Sequence, residues 1–222
     1  TLQKHCGVCP GDDVYFGATV TKAVDADMPH QGANDSLIVS IGGKGLPPRP
    51  AVWKPVSGEK TSLKKWIGGD LYCRAEAAYL LDRSLAENND VFLVPVTFID
   101  QLDGEDGSVQ HYVKDRRNKR DVEKYAPEFI ERAAVLDYIM GQVDRLEKNY
   151  LTHPEDDGRP ILIDNDLSFP QDGTLKVRSS FALAMAGKEL SKTAMDSIFL
   201  AIGNNALWAD IQDCLNDQAA VF

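Results

Sequence analysis

Along the first 113 residues the apolar positions come in short bursts separated by Gly and Pro. Val14 to Val24 is β-rich with partial alternation, Ser36 to Ile41 is a short apolar run, and Ala51-Val52-Trp53-Lys54 is another. Pro29-His30-Gln31-Gly32 and the stretch from Gly42 to Pro50 punctuate them, so the pattern predicts strands joined by turns. A helical period follows over Tyr72 to Ala86, where Ala77, Leu80, Leu81 and Leu85 share one face and Asp70 is the expected N-cap. Val91 to Ile99 is a continuous apolar run of strand length. Its Pro95 predicts a break between two short strands, or an edge position. Ser108 to Val113 predicts one more strand.

The period changes near residue 114. From Val122 onward Phe129, Ala133, Leu136 and Met140 recur at helical spacing, and Ile130 and Ile139 widen the apolar stripe. Ile161-Leu162-Ile163 predicts a short strand that ends on Asp164. Phe181 to Ala220 predicts two or three helices with a break near Gly203. A β-rich half with one helix (1–113) followed by a helical half (114–222) predicts an α+β, two-lobed domain. The cleft between the lobes is the natural ligand site.

Composition narrows the functional classes. The 222 residues are 43% hydrophobic and 26% charged, an ordinary globular balance. The formal net charge of −10 argues against a nucleic-acid partner and against docking on an anionic membrane through bulk charge. One basic run, Lys114 to Arg120, is either a solvated loop or a phosphate-steering patch. No apolar run reaches the roughly 18–20 residues of a membrane span. With a polar opening at Thr1, the expectation is a soluble chain. Cys6-Gly7-Val8-Cys9 is a CxxC without the second pair of a zinc site, and Cys73 and Cys214 stand apart; ordinary thiols are expected.

Five polar positions fit one chemistry. Lys54 ends a predicted strand, and alternation puts it on the same face as Val52. In a nucleotide cleft it would bind phosphate oxygens as a point charge, steadied by a carboxylate such as Glu76 in the next helix. Asp144 follows the predicted catalytic-half helix and would position or deprotonate an attacking hydroxyl. Asn149 and Asp164 offer oxygens suited to Mg²⁺ or Mn²⁺. An Asp, an Asn five positions later, and then a strand delivering another Asp is the layout of a kinase catalytic loop and its metal site. The four histidines show no metal-ligand spacing.

The segment resembles the type II phosphatidylinositol 4-kinases and their bacterial relatives, within the wider protein-kinase-like fold. The likeness runs over residues 50–170. Ala51-Val52-Trp53-Lys54-Pro55 is similar to the family's nucleotide-lysine strand, and Glu76 to Asp82 to its Glu-bearing helix. Val94-Pro95-Val96-Thr97 and Gly107 to Val113 resemble its next strands, the second leading into the hinge. Asp144-Arg145 with Asn149, and Ile163-Asp164-Asn165 with Leu167, Phe169 and Pro170, resemble the catalytic loop and metal segment. The Asp-Arg and Asp-Asn pieces are also similar to secretory-pathway kinases of the Golgi casein-kinase type. The resemblance implies a bilobal kinase-like fold and ATP with Mg²⁺ or Mn²⁺ as cofactors. Adenine is then expected against Gln110, His111, Tyr112 and Val113.

Three departures matter. Asp166 stands where the family has Gly, adding a carboxylate that would bind a second ion or oppose an anionic substrate. The cysteine-rich lipidation stretch is absent. The helical tail is short. These favour a protein hydroxyl as acceptor, with a phosphoinositide as the alternative. A nucleotide-binding pseudokinase acting as an interaction module is a second class, and transfer of AMP a third. Gly42-Gly43-Lys44-Gly45 is not a Walker A motif, since no Ser or Thr follows the Lys. Either this turn or the loop from Asp25 to Ser36 would cover the phosphates.

Overall fold

A computed structural model of the protein describes residues 19–22, 35–43, 46–86, 91–113 and 120–215. Strands β1 (Thr19–Lys22), β2 (Leu37–Gly43), β3 (Leu46–Pro55), β4 (Thr97–Leu102) and β5 (Glu105–His111) form an antiparallel sheet in the order β1-β2-β3-β5-β4. Strand β3 is ten residues long, not four. Its Pro47, Pro48 and Pro50 fall before the stretch flanked on both sides, because pairing with β5 begins at Ala51 opposite His111. There a missing N–H costs no ladder bond on the open side. Ala51 and Trp53 point into the sheet's own core with Val39, Ile41 and Val109. Val52 and Lys54 therefore face the other way, as alternation predicted.

The two strands expected over Val91–Ile99 and Ser108–Val113 are shifted. Asp103 and Gly104, at φ 56° and 83°, make a two-residue turn that pairs Leu102 with Glu105. An Asp-Gly pair adopts the two positive φ angles that a tight hairpin needs. It sets the register from which β4 and β5 grow. Residues before Thr97 leave the sheet because the amides of Leu93 and Val94 are taken by Asp82 Oδ2, at 2.7 and 2.8 Å. Strand β4 is an edge, one of the two roles that Pro95 suggested.

At Gly107 the sheet has no room for a side chain. A Cβ there would lie 2.5 Å from both Trp53 Nε1 and the Lys54 carbonyl oxygen. Gly107→Ala should lower stability by about 1–3 kcal/mol through overpacking. Thermal unfolding checks this; an unchanged midpoint would show that β3 and β5 separate freely.

Six α-helices are present among the described residues. Helix α1 (Thr61–Ile67) was not expected. Helix α2 (Leu71–Ala86) closely matches its predicted span, but its cap is different. The Tyr72 amide donates to Glu59 Oε1 at 2.6 Å, while Asp70 pairs with Lys64 at 2.5 Å. Burial pushes the Glu59 carboxyl above its ordinary value, against the pull of the Leu71 and Tyr72 amides and Lys64.

Helices α3 (Pro127–Ile139), α4 (Ser180–Met185), α5 (Lys192–Gly203) and α6 (Asn205–Leu215) complete the second half, with the α5–α6 break beside Gly203 as predicted. Leu81 of α2 shares one core with Leu136, Phe181, Leu207 and Ile211. The helix counted with the strand-rich half is thus packed into the helical half, while its other side lies against β4 and β5. A two-stranded antiparallel ribbon, β6 (Tyr150–Thr152) and β7 (Pro160–Leu162), carries the segment ahead of Asp164. Among the described residues no helix is long and apolar enough to cross a membrane.

Candidate functional site

Lys54 and Asp164 are 110 positions apart, yet their side chains meet. Lys54 Nζ donates to Asp164 Oδ1 at 2.6 Å and to Asp166 Oδ2 at 2.9 Å. They line a small open cleft of about 210 Å³, walled also by Val52, Ala75, Ser108 and Gln110. Burial alone would lower the Lys54 pKa. The two carboxylates outweigh it and raise the ammonium well above its ordinary value. In return Lys54 holds the Asp164 carboxyl below the usual carboxylate range, against the partial desolvation that the cleft imposes on this half-exposed side chain.

A depressed carboxyl pKa contributes stability above the unfolded value of about 3.9, and that contribution is lost as pH falls through the folded value. Wild type should therefore exceed Asp164→Asn in stability at about pH 6, with the gap closing toward about pH 3. Urea unfolding at both pH values measures it. A gap that does not change would remove the ion pair from the account.

Asp164 sits in the left-handed region, at φ 57° and ψ 56°. A non-glycine residue holds that conformation only when its surroundings impose it. Arg145 imposes it from both sides. Its guanidinium, fully buried, donates to the Ile163 carbonyl at 2.5 Å and to Asn165 Oδ1. It also reaches the Asn149 carbonyl at 2.8 Å and Asp137 at 3.1 Å. Asp137 in turn accepts from the Ser179 hydroxyl at 2.7 Å. A second buried arginine, Arg74 of α2, binds the carbonyls of Ser168 (2.7 Å) and Phe169 farther along the segment. Burial draws its pKa down to about 10.

Asp144 and Asn149 are brought together as the spacing implied. Asn149 Nδ2 donates to the Asp144 carbonyl at 2.6 Å and to Asp144 Oδ2 at 3.1 Å. With its amide nitrogen committed there, Asn149 has its amide oxygen to offer a cation. Lys148 Nζ lies 2.9 Å from Asp144 Oδ2 and also feels the Asp164 charge. The Asn149 carbonyl accepts from the Ile163 amide at 3.1 Å, which ties this loop to the backbone next to Asp164.

Glu76 departs from expectation. It is not the partner of Lys54; its Oε2 accepts from the Cys214 thiol at 3.1 Å, joining α2 to α6. Of the residues expected to hold adenine, Gln110 lines the cleft and donates to Thr97 Oγ1 at 2.9 Å. The amides of His111 and Tyr112 are spent on the carbonyls of Val96 and Pro50, at 2.9 and 3.0 Å. Val113, half-buried, follows them at the edge of the described segment. Burial and the nearby Arg49 lower the His111 pKa.

Among the described residues no group of three or more His, Cys, Asp or Glu side chains forms a ready metal cage. The available donors are all hard oxygens: the Asn149 amide and the Asp164 carboxylate. They fit Mg²⁺ or Mn²⁺, which commonly takes one or two protein oxygens and completes its shell with phosphate and water. Gly42 and Gly43 end β2 and enter its hairpin with β3, consistent with a turn. Lys44 and Gly45, residues 25–34 of the alternative phosphate cover, the basic run 114–119 and the Cys6–Cys9 motif lie outside the described residues. Cys73 and Cys214 are buried and form no disulfide.

Sequence reasoning missed Arg145 as the organiser and Asp166 as a partner of Lys54. The first had a signal in Asp137, eight positions earlier on the buried face of α3; the second had none beyond its departure from Gly. No protein-family model matches the chain, and no curated protein does.

Proposed function

We propose that this protein is an ATP-dependent kinase of two-lobed, protein-kinase-like build, transferring the γ-phosphate to a hydroxyl, in the first instance of a protein Ser or Thr. The observation that carries this reading is the convergence of Lys54 with Asp164, beside a loop that couples Asp144 to Asn149. Lys54 would bind phosphate oxygens. Asn149 and Asp164 would hold Mg²⁺ or Mn²⁺, which when bound neutralises charge building on the transferred group. Asp144, kept by Asn149 and Lys148, would orient the acceptor hydroxyl. Phosphoryl transfer needs little else from a protein than such positioning and charge.

The pairing of Lys54 with two carboxylates supports a second reading, a nucleotide-binding module without turnover. Incubation with γ-labelled ATP, Mg²⁺ and Mn²⁺ tests both, using a whole-cell protein extract and phosphoinositide vesicles as separate acceptors. Label on a protein band that vanishes in Asp164→Ala supports a protein kinase. Label in lipid alone supports the phosphoinositide alternative. Nucleotide binding without label transfers weight to the module, or to AMP transfer, which adenine-labelled ATP detects.

A further inference from the structure

We infer that Asp166, not Glu76, is the carboxylate that holds Lys54 in its working position. The inference rests on the kinase reading for its catalytic meaning, but the contact itself is structural. Lys54 has three N–H donors, and two of them go to carboxylates of unequal character. The Asp164 side chain is 43% exposed; that of Asp166 is 5% exposed, in the turn packed against α2.

An exposed carboxylate exchanges one partner for another at small cost, because water stands in during the exchange. A buried one does so at greater cost, because water is not at hand to replace the ammonium it gives up. Asp166 is therefore the fixed partner and Asp164 the exchangeable one. When Asp164 turns its oxygen to a cation carried with the nucleotide, Asp166 keeps Lys54 in place. Two of its three donors are then open to phosphate oxygen. Glu76 is turned elsewhere: its Oε2 accepts from the Cys214 thiol of α6, while the hydrogen bonds of Lys54 go to Asp164 and Asp166. Asp166 is thus a positioning residue: it acts through Lys54 and need not touch substrate.

The test compares Asp166→Asn and Glu76→Gln in the full chain by two readouts. The first is the rate at which an amine-reactive acylating reagent labels Lys54, read by peptide mass spectrometry; it needs no nucleotide and no turnover. The second is affinity for Mg²⁺ with a fluorescent ATP analogue. Asp166→Asn should label Lys54 several-fold faster than wild type. It should also lose about tenfold or more in nucleotide affinity, the effect of one hydrogen bond between charged groups. Glu76→Gln should change Lys54 labelling less than Asp166→Asn does.

Unchanged labelling in Asp166→Asn, or a larger increase in Glu76→Gln, overturns the assignment. Faster labelling in Asp166→Asn together with no nucleotide binding by wild type upholds the contact and defeats the kinase reading instead. If Asp166→Asn does not fold, the double variant Lys54→Met with Asp166→Ala decides. Removing both charges leaves neither stranded, so it should recover the fold. A double variant as unfolded as the single one counts against the pairing.

Discussion

On the kinase reading proposed above, Asp164→Ala is expected to lower phosphoryl transfer by about a thousandfold or more, the scale on which a group positioned for the transition state counts, while the chain stays folded. The structure separates these two outcomes. Asp164 is partly exposed and its loss leaves Lys54 still paired with Asp166. No buried charge is stranded, and alanine removes a carboxylate from the surface of a cleft. Lys54→Ala is a poorer test. It would take the ammonium from the Asp166 carboxylate, at 5% exposure, and the penalty for breaking a buried pair from one side is about 3 kcal/mol. Lost activity in that variant would mix catalysis with folding. Asp164→Ala with a near-normal melting temperature and no labelled product would support the role. Turnover close to wild type would sink the site assignment.

Arg145→Met should have the largest effect on stability. It removes the cation from Asp137, fully buried, and unties the carbonyls of Asn149 and Ile163 together. Breaking a buried ion pair from one side costs about 3–5 kcal/mol, because the remaining charge is left without a partner. In a domain of this size that is a fall of roughly 6–20 °C in Tm. Calorimetry measures it. A loss below about 1 kcal/mol, the range of ordinary surface substitutions, would mean that water reaches Asp137 and replaces the guanidinium.

The elements that the sequence disclosed were those whose period runs long enough to be seen. Helix α2 and helix α3 each carry several turns of apolar residues, and their predicted spans nearly coincide with the observed ones. The break beside Gly203 and the edge position of β4 were legible for the same kind of reason: glycine and proline have specific backbone effects. The β4–β5 register was written in Asp103-Gly104, a turn signal that outweighs the apolar run upstream; weighing the run first misplaced both strands. Strand β6 has three residues and α1 seven, too few for a period to emerge. The cap of α2 lies thirteen positions before the amide it binds, outside any local capping rule.

Within the candidate site, the order of the polar residues anticipated that Asp144 meets Asn149, but not which carboxylates meet Lys54. Lys54, Asp144, Asn149 and Asp164 announced themselves by order and spacing. Which carboxylate would face Lys54 depends on how α2 is rotated. That rotation is set by α6 and by Arg74 gripping the Ser168 and Phe169 carbonyls. These contacts join residues about 90 to 140 positions apart, and no local pattern encodes them.

The sharing of one core by α2 and α6 has a consequence for biosynthesis. The surface of α2 that α6 covers is made early, and its cover only about 130 residues later. At ~5–20 residues per second of synthesis, the nascent chain carries that surface uncovered for on the order of ten seconds. Pairings this distant in sequence also form slowly, since a long loop must close before any contact rewards it. The interval between the emergence of α2 and of α6 is therefore when a ribosome-associated chaperone has most to bind, and codon usage between the two helices is a direct means of lengthening or shortening it.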